Sequence, residues 1–170
     1  HIAPNIRELE KAFAEKGKEF CCMIAEPLLQ GAGGMKTYGA DFLFRARELC
    51  AEYDVLLIFD EVATGFGRTG NRFAADIVCP DIIVLGKALT GGYIGHAVTV
   101  ANKKVYDAFY GDDERLALMH GPTFMGNALA CSVALESIRL FEEENYIEKI
   151  KRIEEISKDE LNGFSDERIK

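Results

Sequence analysis

The sequence predicts an α/β protein with a mostly parallel sheet. Three apolar runs, at residues 20–25, 55–59 and 81–85, have the length of strands and the continuous hydrophobicity typical of strands buried on both faces. Stretches with helical periodicity separate these runs, and such alternation is typical of a parallel sheet flanked by helices. The chain contains no internal repeat and no low-complexity linker.

Each element has its own signal in the sequence. Leu9, Ala12 and Phe13 recur at helical spacing and predict a first helix over residues 5–17. Residues 128–141 are apolar almost all round, which predicts a buried helix. From residue 142 a stripe of isoleucines on a charged background predicts a further helical segment. The remaining predicted elements are a helix over 41–53, a strand over 98–101 and a short helix over 103–110.

Composition excludes several classes of protein. The 170 residues are 48% apolar and carry a formal net charge of −8. A folded domain is therefore expected, and the acidic balance argues against a nucleic-acid-binding protein, which needs a clustered basic face. No apolar run approaches the roughly 20 residues of a membrane-spanning helix, and no signal peptide is visible after His1.

Cysteine and histidine usage predicts no metal site. The five cysteines contain no C-x-x-C pair, and the adjacent Cys21 and Cys22 would face opposite sides of a strand. We therefore expect buried, reduced thiols in a cytoplasmic protein. The three histidines lack the spacing of zinc ligands, and the absence of G-x-S-x-G gives no support for a serine nucleophile.

Ionisable residues follow three of the predicted strands. Glu26, Asp60 and Lys87 each stand just beyond an apolar run. In parallel sheets functional groups gather at the carboxyl ends of strands, so these side chains are expected at one edge. A lysine and a carboxylate are the two groups that a pyridoxal-phosphate enzyme needs, the first for a Schiff base and the second for the pyridine nitrogen.

Two other classes of protein, the dinucleotide-binding proteins and the P-loop ATPases, share part of this sequence pattern. Gly65, Gly67 and Gly70 satisfy the dinucleotide-binding motif G-x-G-x-x-G, but Pro80 follows too soon for the helix that this motif should open. The strand over 55–59 with its acidic pair resembles the Mg²⁺-binding strand of P-loop ATPases, but no G-x-x-x-x-G-K-[ST] is present. A P-loop ATPase fragment remains the alternative from a different class.

Four blocks of sequence resemble the class III (ω-amino) aminotransferases, which are pyridoxal-phosphate enzymes of fold type I. The blocks lie in the family's order and cover most of residues 20–141. They are EPLLQGAGGM at 26–35, DEVATGFGRTG at 60–70, GKALTGG at 86–92 and HGPTFMGN at 120–127.

The resemblance implies a domain assignment. Residues 1–141 match the central and later part of the large, cofactor-binding domain, and residues 142–170 match the helix leading toward a C-terminal small domain. The family's glycine-serine phosphate cup and its carboxylate-binding arginine lie outside the matched stretch. We therefore expect the 170-residue chain alone to be inactive.

The resemblance also implies roles for single residues. Lys87 matches the lysine that binds pyridoxal 5'-phosphate and then moves the substrate proton, and Asp60 matches the partner of the pyridine nitrogen. Val62 would pack against the ring. Pro122 and Thr123 match a turn that reaches the cofactor phosphate of the other subunit, so a homodimer with its active site at the subunit interface is expected.

Substrate residues point to the branch of the family that serves biotin synthesis. Arg68 and Gly121 match positions in the substrate pocket, and Ala32 and Ala63 replace a Glu and a Gln of relatives that use 2-oxoglutarate. This branch implies amination of 8-amino-7-oxononanoate to 7,8-diaminononanoate, with S-adenosylmethionine as donor. The alternatives within the family are a lysine-dependent version and another ω-aminotransferase, and a truncated non-enzymatic relative is a further one.

Overall fold

The computed structural model describes residues 4–164, and it confirms the predicted α/β class. Within this range the helices are α1 (Ile6–Lys16), α2 (Ala40–Glu52), α3 (Lys103–Asp107), α4 (Ala128–Glu143) and α5 (Tyr146–Asn162). The strands are β1 (Cys22–Ala25), β2 (Leu29–Gln30), β3 (Lys36–Thr37), β4 (Leu56–Asp60), β5 (Ile82–Leu85) and β6 (Val98–Ala101).

The main sheet has the strand order β1-β4-β5-β6. β1, β4 and β5 are parallel, and β6 runs antiparallel to β5, so the prediction of a mostly parallel sheet is confirmed. β2 and β3 form a separate antiparallel hairpin inside the loop that follows β1. Two-residue strands carry no readable periodicity, and the sequence therefore gave no sign of this hairpin.

One face of the sheet is covered by α1 and α2. Leu57 and Phe59 of β4 point into this layer and are fully buried. The side chain of Asn5 begins α1 by accepting hydrogen bonds from the backbone N–H groups of Arg7 and Glu8 at 2.9 and 3.3 Å, which places Leu9 and Phe13 on the inner face. The buried core comprises Leu9, Phe13, Phe42, Leu43, Ala46, Leu49, Cys50, Val55, Leu57, Phe59 and Val78.

The opposite face of the sheet is partly open. Ile24 pairs with Ile58, Ile58 pairs with Ile82, and Asp60 pairs with Val84, so these residues share a face. Ile24 is 63% exposed because no helix in the described part of the chain covers β1 on this side. The prediction that this strand is buried on both faces is therefore wrong for residues 4–164.

The long C-terminal helical region is broken. Asn145 has a left-handed backbone (φ 51°), which ends α4 and starts α5 at a new angle. α4 buries Ala130 and Ala134, whereas Leu129 and Leu135 on its other side are 66% and 69% exposed. The helix predicted over 128–141 is thus buried on one side, and it exposes apolar side chains on the other.

The cysteines differ from the expectation of buried thiols. All five are free, but Cys50 alone among them is buried, and Cys21, Cys22 and Cys79 are exposed. Cys21 lies in a bend before β1 rather than in the strand, which brings its Sγ to 3.9 Å from that of Cys22. The expected opposite orientation of these two side chains is therefore wrong. In the described range no helix is long and apolar enough to cross a bilayer.

Candidate active site

Asp60 and Lys87 lie at the same edge of the sheet. Asp60 is the last residue of β4 and pairs with Val84 of β5, and Lys87 follows two residues after the end of β5 at Leu85. Because β4 and β5 are parallel neighbours, their carboxyl ends meet at this edge, about 4.8 Å apart between strands. The structure thus brings together the predicted carboxylate and the predicted lysine.

Asp60 is half-buried on the partly open face of the sheet. Its Oδ1 accepts a hydrogen bond from the backbone N–H of Val62 at 3.1 Å, which fixes the carboxylate without a cationic partner in residues 4–164. The remaining oxygen is available for a donor that approaches over the open face. A protonated ring nitrogen is such a donor.

Lys87 has a left-handed backbone with φ 46°. Such a conformation costs a non-glycine residue about 1 kcal/mol or more and persists only where its surroundings impose it. Here it starts a 3-10 turn over Lys87–Thr90 directly after the strand. The turn carries the lysine away from the strand direction, and its side chain is exposed at the sheet edge.

Val62 packs against the backbone of Gly86. A Cβ added at Gly86 would lie 3.3 Å from Val62 Cγ1 and 3.7 Å from the carbonyl oxygen of His96. Glycine therefore lets the two strand ends approach closely. The contact places Val62 next to the residue that precedes Lys87, on the segment that also carries Asp60.

The turn that carries Lys87 is held from behind by α4. Ser137 Oγ donates a hydrogen bond to the carbonyl of Ala88 at 3.3 Å. Leu89 and Thr90 are buried, and Thr90 Oγ1 donates to the carbonyl of Ile94 at 2.5 Å. α4 therefore fixes the position of the lysine without contributing a charged group to this turn.

Glu26, the third predicted strand-end residue, has a local structural role. Its Oε2 accepts a hydrogen bond from the backbone N–H of Gly31 at 3.1 Å, and its carbonyl accepts one from Tyr38 Oη at 2.5 Å. Burial raises the pKa of Tyr38 to about 12 and so keeps this hydroxyl a donor. Glu26 therefore closes the loop that contains the β2–β3 hairpin.

The glycine-rich segment after β4 is not a dinucleotide loop. It forms turns, and only a 3-10 turn over Ala74–Asp76 follows it. A Cβ at Gly65 would lie 2.9 Å from the carbonyl oxygen of Glu61, and one at Gly67 would lie 2.2 Å from Ile150 Cδ1 of α5. Close packing within the chain, rather than a bound pyrophosphate, thus accounts for Gly65 and Gly67, whereas Gly70 has a left-handed backbone with φ 96°. Arg68 lies exposed in the same segment.

Gly121, Pro122 and Thr123 are exposed, and Pro122 and Thr123 belong to a turn that precedes α4. The carbonyl of Pro122 accepts a hydrogen bond from Met125 N–H at 2.8 Å, and Phe124 next to it is 82% exposed. No hydrogen bond in the described part of the chain ties this turn to Asp60 or Lys87. Within residues 4–164 these predicted residues are therefore not hydrogen-bonded to the strand-end residues.

Sequence reasoning missed the role of Glu61. This carboxylate is fully buried and accepts hydrogen bonds from the backbone N–H groups of Ala74 and Ala75, both at 2.9 Å. These bonds also contradict the P-loop alternative, in which the acidic pair would hold Mg²⁺. The sequence did contain a signal for this role, because side chains alternate along a strand and consecutive residues such as Asp60 and Glu61 therefore point to opposite sides.

Comparison with known proteins agrees with this geometry. The family model for class III aminotransferases matches residues 2–170, and the chain belongs to this family. The chain is 44% identical over 161 residues to the adenosylmethionine-8-amino-7-oxononanoate aminotransferase of Anoxybacillus flavithermus, which covers 93% of this chain and 36% of that protein. The protein of the same name from Staphylococcus aureus is 46% identical over 149 residues, covering 86% and 33%.

Solved structures give the same result. The adenosylmethionine-8-amino-7-oxononanoate aminotransferase of Methanocaldococcus jannaschii superposes with a TM-score of 0.81 at 39% identity, covering 86% of this chain and 36% of that one. An amine transaminase from an uncultivated Pseudomonas species, solved in its PLP-bound form, gives 0.76 at 41% identity, covering 82% and 32%. The chain thus spans about a third of the length of the relatives it matches.

Proposed function

We propose that the complete protein is a pyridoxal-phosphate-dependent aminotransferase that converts 8-amino-7-oxononanoate to 7,8-diaminononanoate in biotin synthesis. The observation that carries the proposal is the meeting of Asp60 and Lys87 at neighbouring strand ends in a chain of this family. The names of the relatives from A. flavithermus and S. aureus support the substrate and favour S-adenosylmethionine as amino donor.

The residues at the sheet edge fit the cofactor. Asp60 offers a carboxylate oxygen over the open face, Lys87 offers an exposed amine, and the Val62 methyl groups lie against Gly86. When bound, the cofactor supplies a protonated pyridine ring that accepts electrons from the substrate. Asp60 would keep the ring nitrogen protonated, and Val62 would cover one face of the ring.

Lys87 would act as the base of the reaction. Its Nζ would hold the cofactor before the donor arrives and would then take the proton from the donor's Cα. The exposed side chain on a fixed turn suits both tasks, because Ser137 holds the backbone while the amine remains free to move. The same Nζ would return a proton when the acceptor receives its amino group.

The phosphate and the substrate would be bound by further segments. Pro122 and Thr123 would reach the cofactor phosphate of the other subunit of a homodimer, which agrees with their exposure. Arg68 and Gly121 would line the substrate pocket. A lysine-dependent version or another ω-aminotransferase is the second candidate, favoured by the structural likeness to the amine transaminase. We place the enzyme in the cytoplasm, with small-molecule substrates.

The proposal is tested on the complete purified protein. We expect visible absorbance from the cofactor bonded to Lys87, trapped at that residue by borohydride, and turnover of 8-amino-7-oxononanoate with S-adenosylmethionine. Lys87→Ala should abolish the trapping, whereas Lys104→Ala, which removes only an exposed pair with Asp54, should not. Unchanged trapping in Lys87→Ala would contradict the assignment. Turnover with lysine alone would select the second candidate.

A further inference from the structure

Glu61 is a buried carboxylate with no cationic partner in residues 4–164. It is 0% exposed, and its oxygens accept three hydrogen bonds. Oε1 accepts from Ala75 N–H at 2.9 Å, and Oε2 accepts from Ala74 N–H at 2.9 Å and from Thr64 Oγ1 at 3.3 Å. A buried ion without such donors would be strongly unfavourable, so these bonds are needed for Glu61 to lie here at all.

The bonds of Glu61 close the segment 62–73. Its side chain holds the residues that follow this segment, and its own carbonyl accepts a hydrogen bond from Gly65 N–H at 3.0 Å. Its backbone N–H donates to the carbonyl of Val84 at 2.9 Å and so joins the segment to β5. Both ends of the segment are therefore fixed to one residue at the sheet edge.

The closed segment carries two residues of the proposed site. Val62 lies at its start, against Gly86 and next to the turn of Lys87, and Arg68 lies near its middle. Neither side chain forms a hydrogen bond with the Glu61 carboxylate, whose partners are Thr64, Ala74 and Ala75. Any influence of Glu61 on the site would thus act through the backbone that it holds.

From this arrangement we infer that Glu61 is a positioning residue, which holds the segment 62–73 closed so that Val62 and Arg68 stay in place beside the cofactor. The inference rests on the proposed function. Glutamine has one acceptor oxygen and an NH₂ group, so Glu61→Gln would set a donor against the N–H of Ala74 or Ala75. The segment should then open while the fold around α1 and α2 persists.

The test uses the complete protein and two measurements besides activity. Glu61→Gln should speed amide hydrogen exchange in peptides spanning 62–75 and should weaken the affinity of the apoenzyme for pyridoxal phosphate about tenfold, which corresponds to the loss of one charge-assisted hydrogen bond. The KM for the amino acceptor should rise more than kcat falls, because Arg68 is displaced while Lys87 is not.

Asp81→Asn is the matched control. Asp81 is also a well-bonded carboxylate, but it lies at the opposite edge of the sheet. The Asp81→Asn substitution should lower the melting temperature without changing amide hydrogen exchange in residues 62–75 or the affinity for pyridoxal phosphate. If Glu61→Gln does not fold, Thr64→Val removes only the hydroxyl donor and should cause the same two changes to a smaller degree.

The inference would be overturned if the variant that folds, Glu61→Gln or Thr64→Val, has only a lower melting temperature. Its amide hydrogen exchange in 62–75 and its affinity for pyridoxal phosphate would then be unchanged. Failure of the wild-type apoenzyme to bind pyridoxal phosphate would instead overturn the proposed function. Hydrogen exchange in 62–75 still distinguishes a closed from an open segment in that case.

Discussion

Two consecutive carboxylates at the end of β4 have opposite surroundings. Asp60 lies half-buried on the open face and has one backbone hydrogen bond, whereas Glu61 is buried and has three bonds. Burial raises the pKa of Glu61, although its hydrogen bonds with Ala74, Ala75 and Thr64 act in the other direction. Neighbouring residues at the end of β4 thus differ in their surroundings: in our proposal Asp60 serves a ligand, and Glu61 is bonded within the fold.

A single aspartate joins the strands at the opposite edge. Asp81 Oδ2 accepts hydrogen bonds from Arg47 Nη1 and from Leu57 N–H, both at 2.8 Å, and Oδ1 accepts one from Asn102 Nδ2 at 2.8 Å. Burial opposes ionisation of Asp81, but the bonds from Leu57 and Arg47 outweigh it and lower the pKa of the carboxyl. Asp81 therefore links α2, β4 and the start of α3.

We expect Asp81→Asn to lower the free energy of unfolding by about 2 kcal/mol at neutral pH, because a charge-assisted bond is lost. A lowered pKa stabilises the folded state above the ordinary aspartate pKa of about 3.9, and this contribution disappears as the pH falls through the lowered value. The difference in the free energy of unfolding between wild type and Asp81→Asn, measured by urea unfolding, should therefore shrink from pH 7 to pH 3. Asp107→Asn, which removes an exposed pair with Lys103, is the control and should change little.

The placement of a residue could be predicted where its position along a strand alone determines it. Asp60 and Lys87 stand at the ends of apolar runs, and parallel strands bring such ends together whatever the details of packing. Glu26 satisfied the same rule, yet its carboxylate bonds to its own loop. That bond depends on the path of a loop with no periodic signal, as does the bond of Glu61 to Ala74.

Among the elements, α1 and the four strands of the main sheet were predictable, and the β2–β3 hairpin was not. The change in the apolar pattern from residue 142 indicated a further helical segment, but the position of the break depends on the left-handed backbone of Asn145. The packing partner of α5 could not be predicted either. Phe66 meets Phe141 of α4 at 6.0 Å between ring centroids, and Arg72 pairs with Glu142 of α4 at 2.9 Å. Ile150 of α5 lies against Gly67, so the segment after β4 packs on both helices.

Gly67 makes this packing possible. It has φ 89°, and a Cβ there would lie 2.2 Å from Ile150 Cδ1 of α5. We expect Gly67→Ala to lower the melting temperature more than Gly70→Ala, because Gly70 has a similar φ of 96° but open space around it. Gly70→Ala thus measures the backbone strain alone.

The additional destabilisation by Gly67→Ala over Gly70→Ala should disappear in an Ile150→Val background, because that substitution removes the clashing Cδ1 methyl group. This double-mutant cycle attributes the effect to one contact. Equal melting temperatures for Gly67→Ala and Gly70→Ala in the wild-type background would show that α5 does not press on this segment.

At the scale of the whole molecule, the described chain leaves apolar surface uncovered. Ile24 on the sheet, Leu135 on α4 and Phe124 next to Thr123 are all more than half exposed. Two hollows, of about 550 and 320 Å³, lie beside α1 and β1 rather than at Asp60 and Lys87. Exposed large apolar side chains of this kind are typical of an interface, and the chain spans only 36% of a matched relative. In our proposal further segments and a second subunit would cover them.

A mixed dimer tests whether the second subunit completes the site. In our proposal Thr123 of one subunit serves the cofactor held by Lys87 of the other. A heterodimer of Lys87→Ala and Thr123→Val subunits would then contain one intact site, and its activity should reach about half that of wild type because a symmetric dimer has two equivalent sites. Each variant alone should be far less active. If Thr123 served its own subunit, both sites would be damaged, and mixing two differently tagged chains would restore nothing.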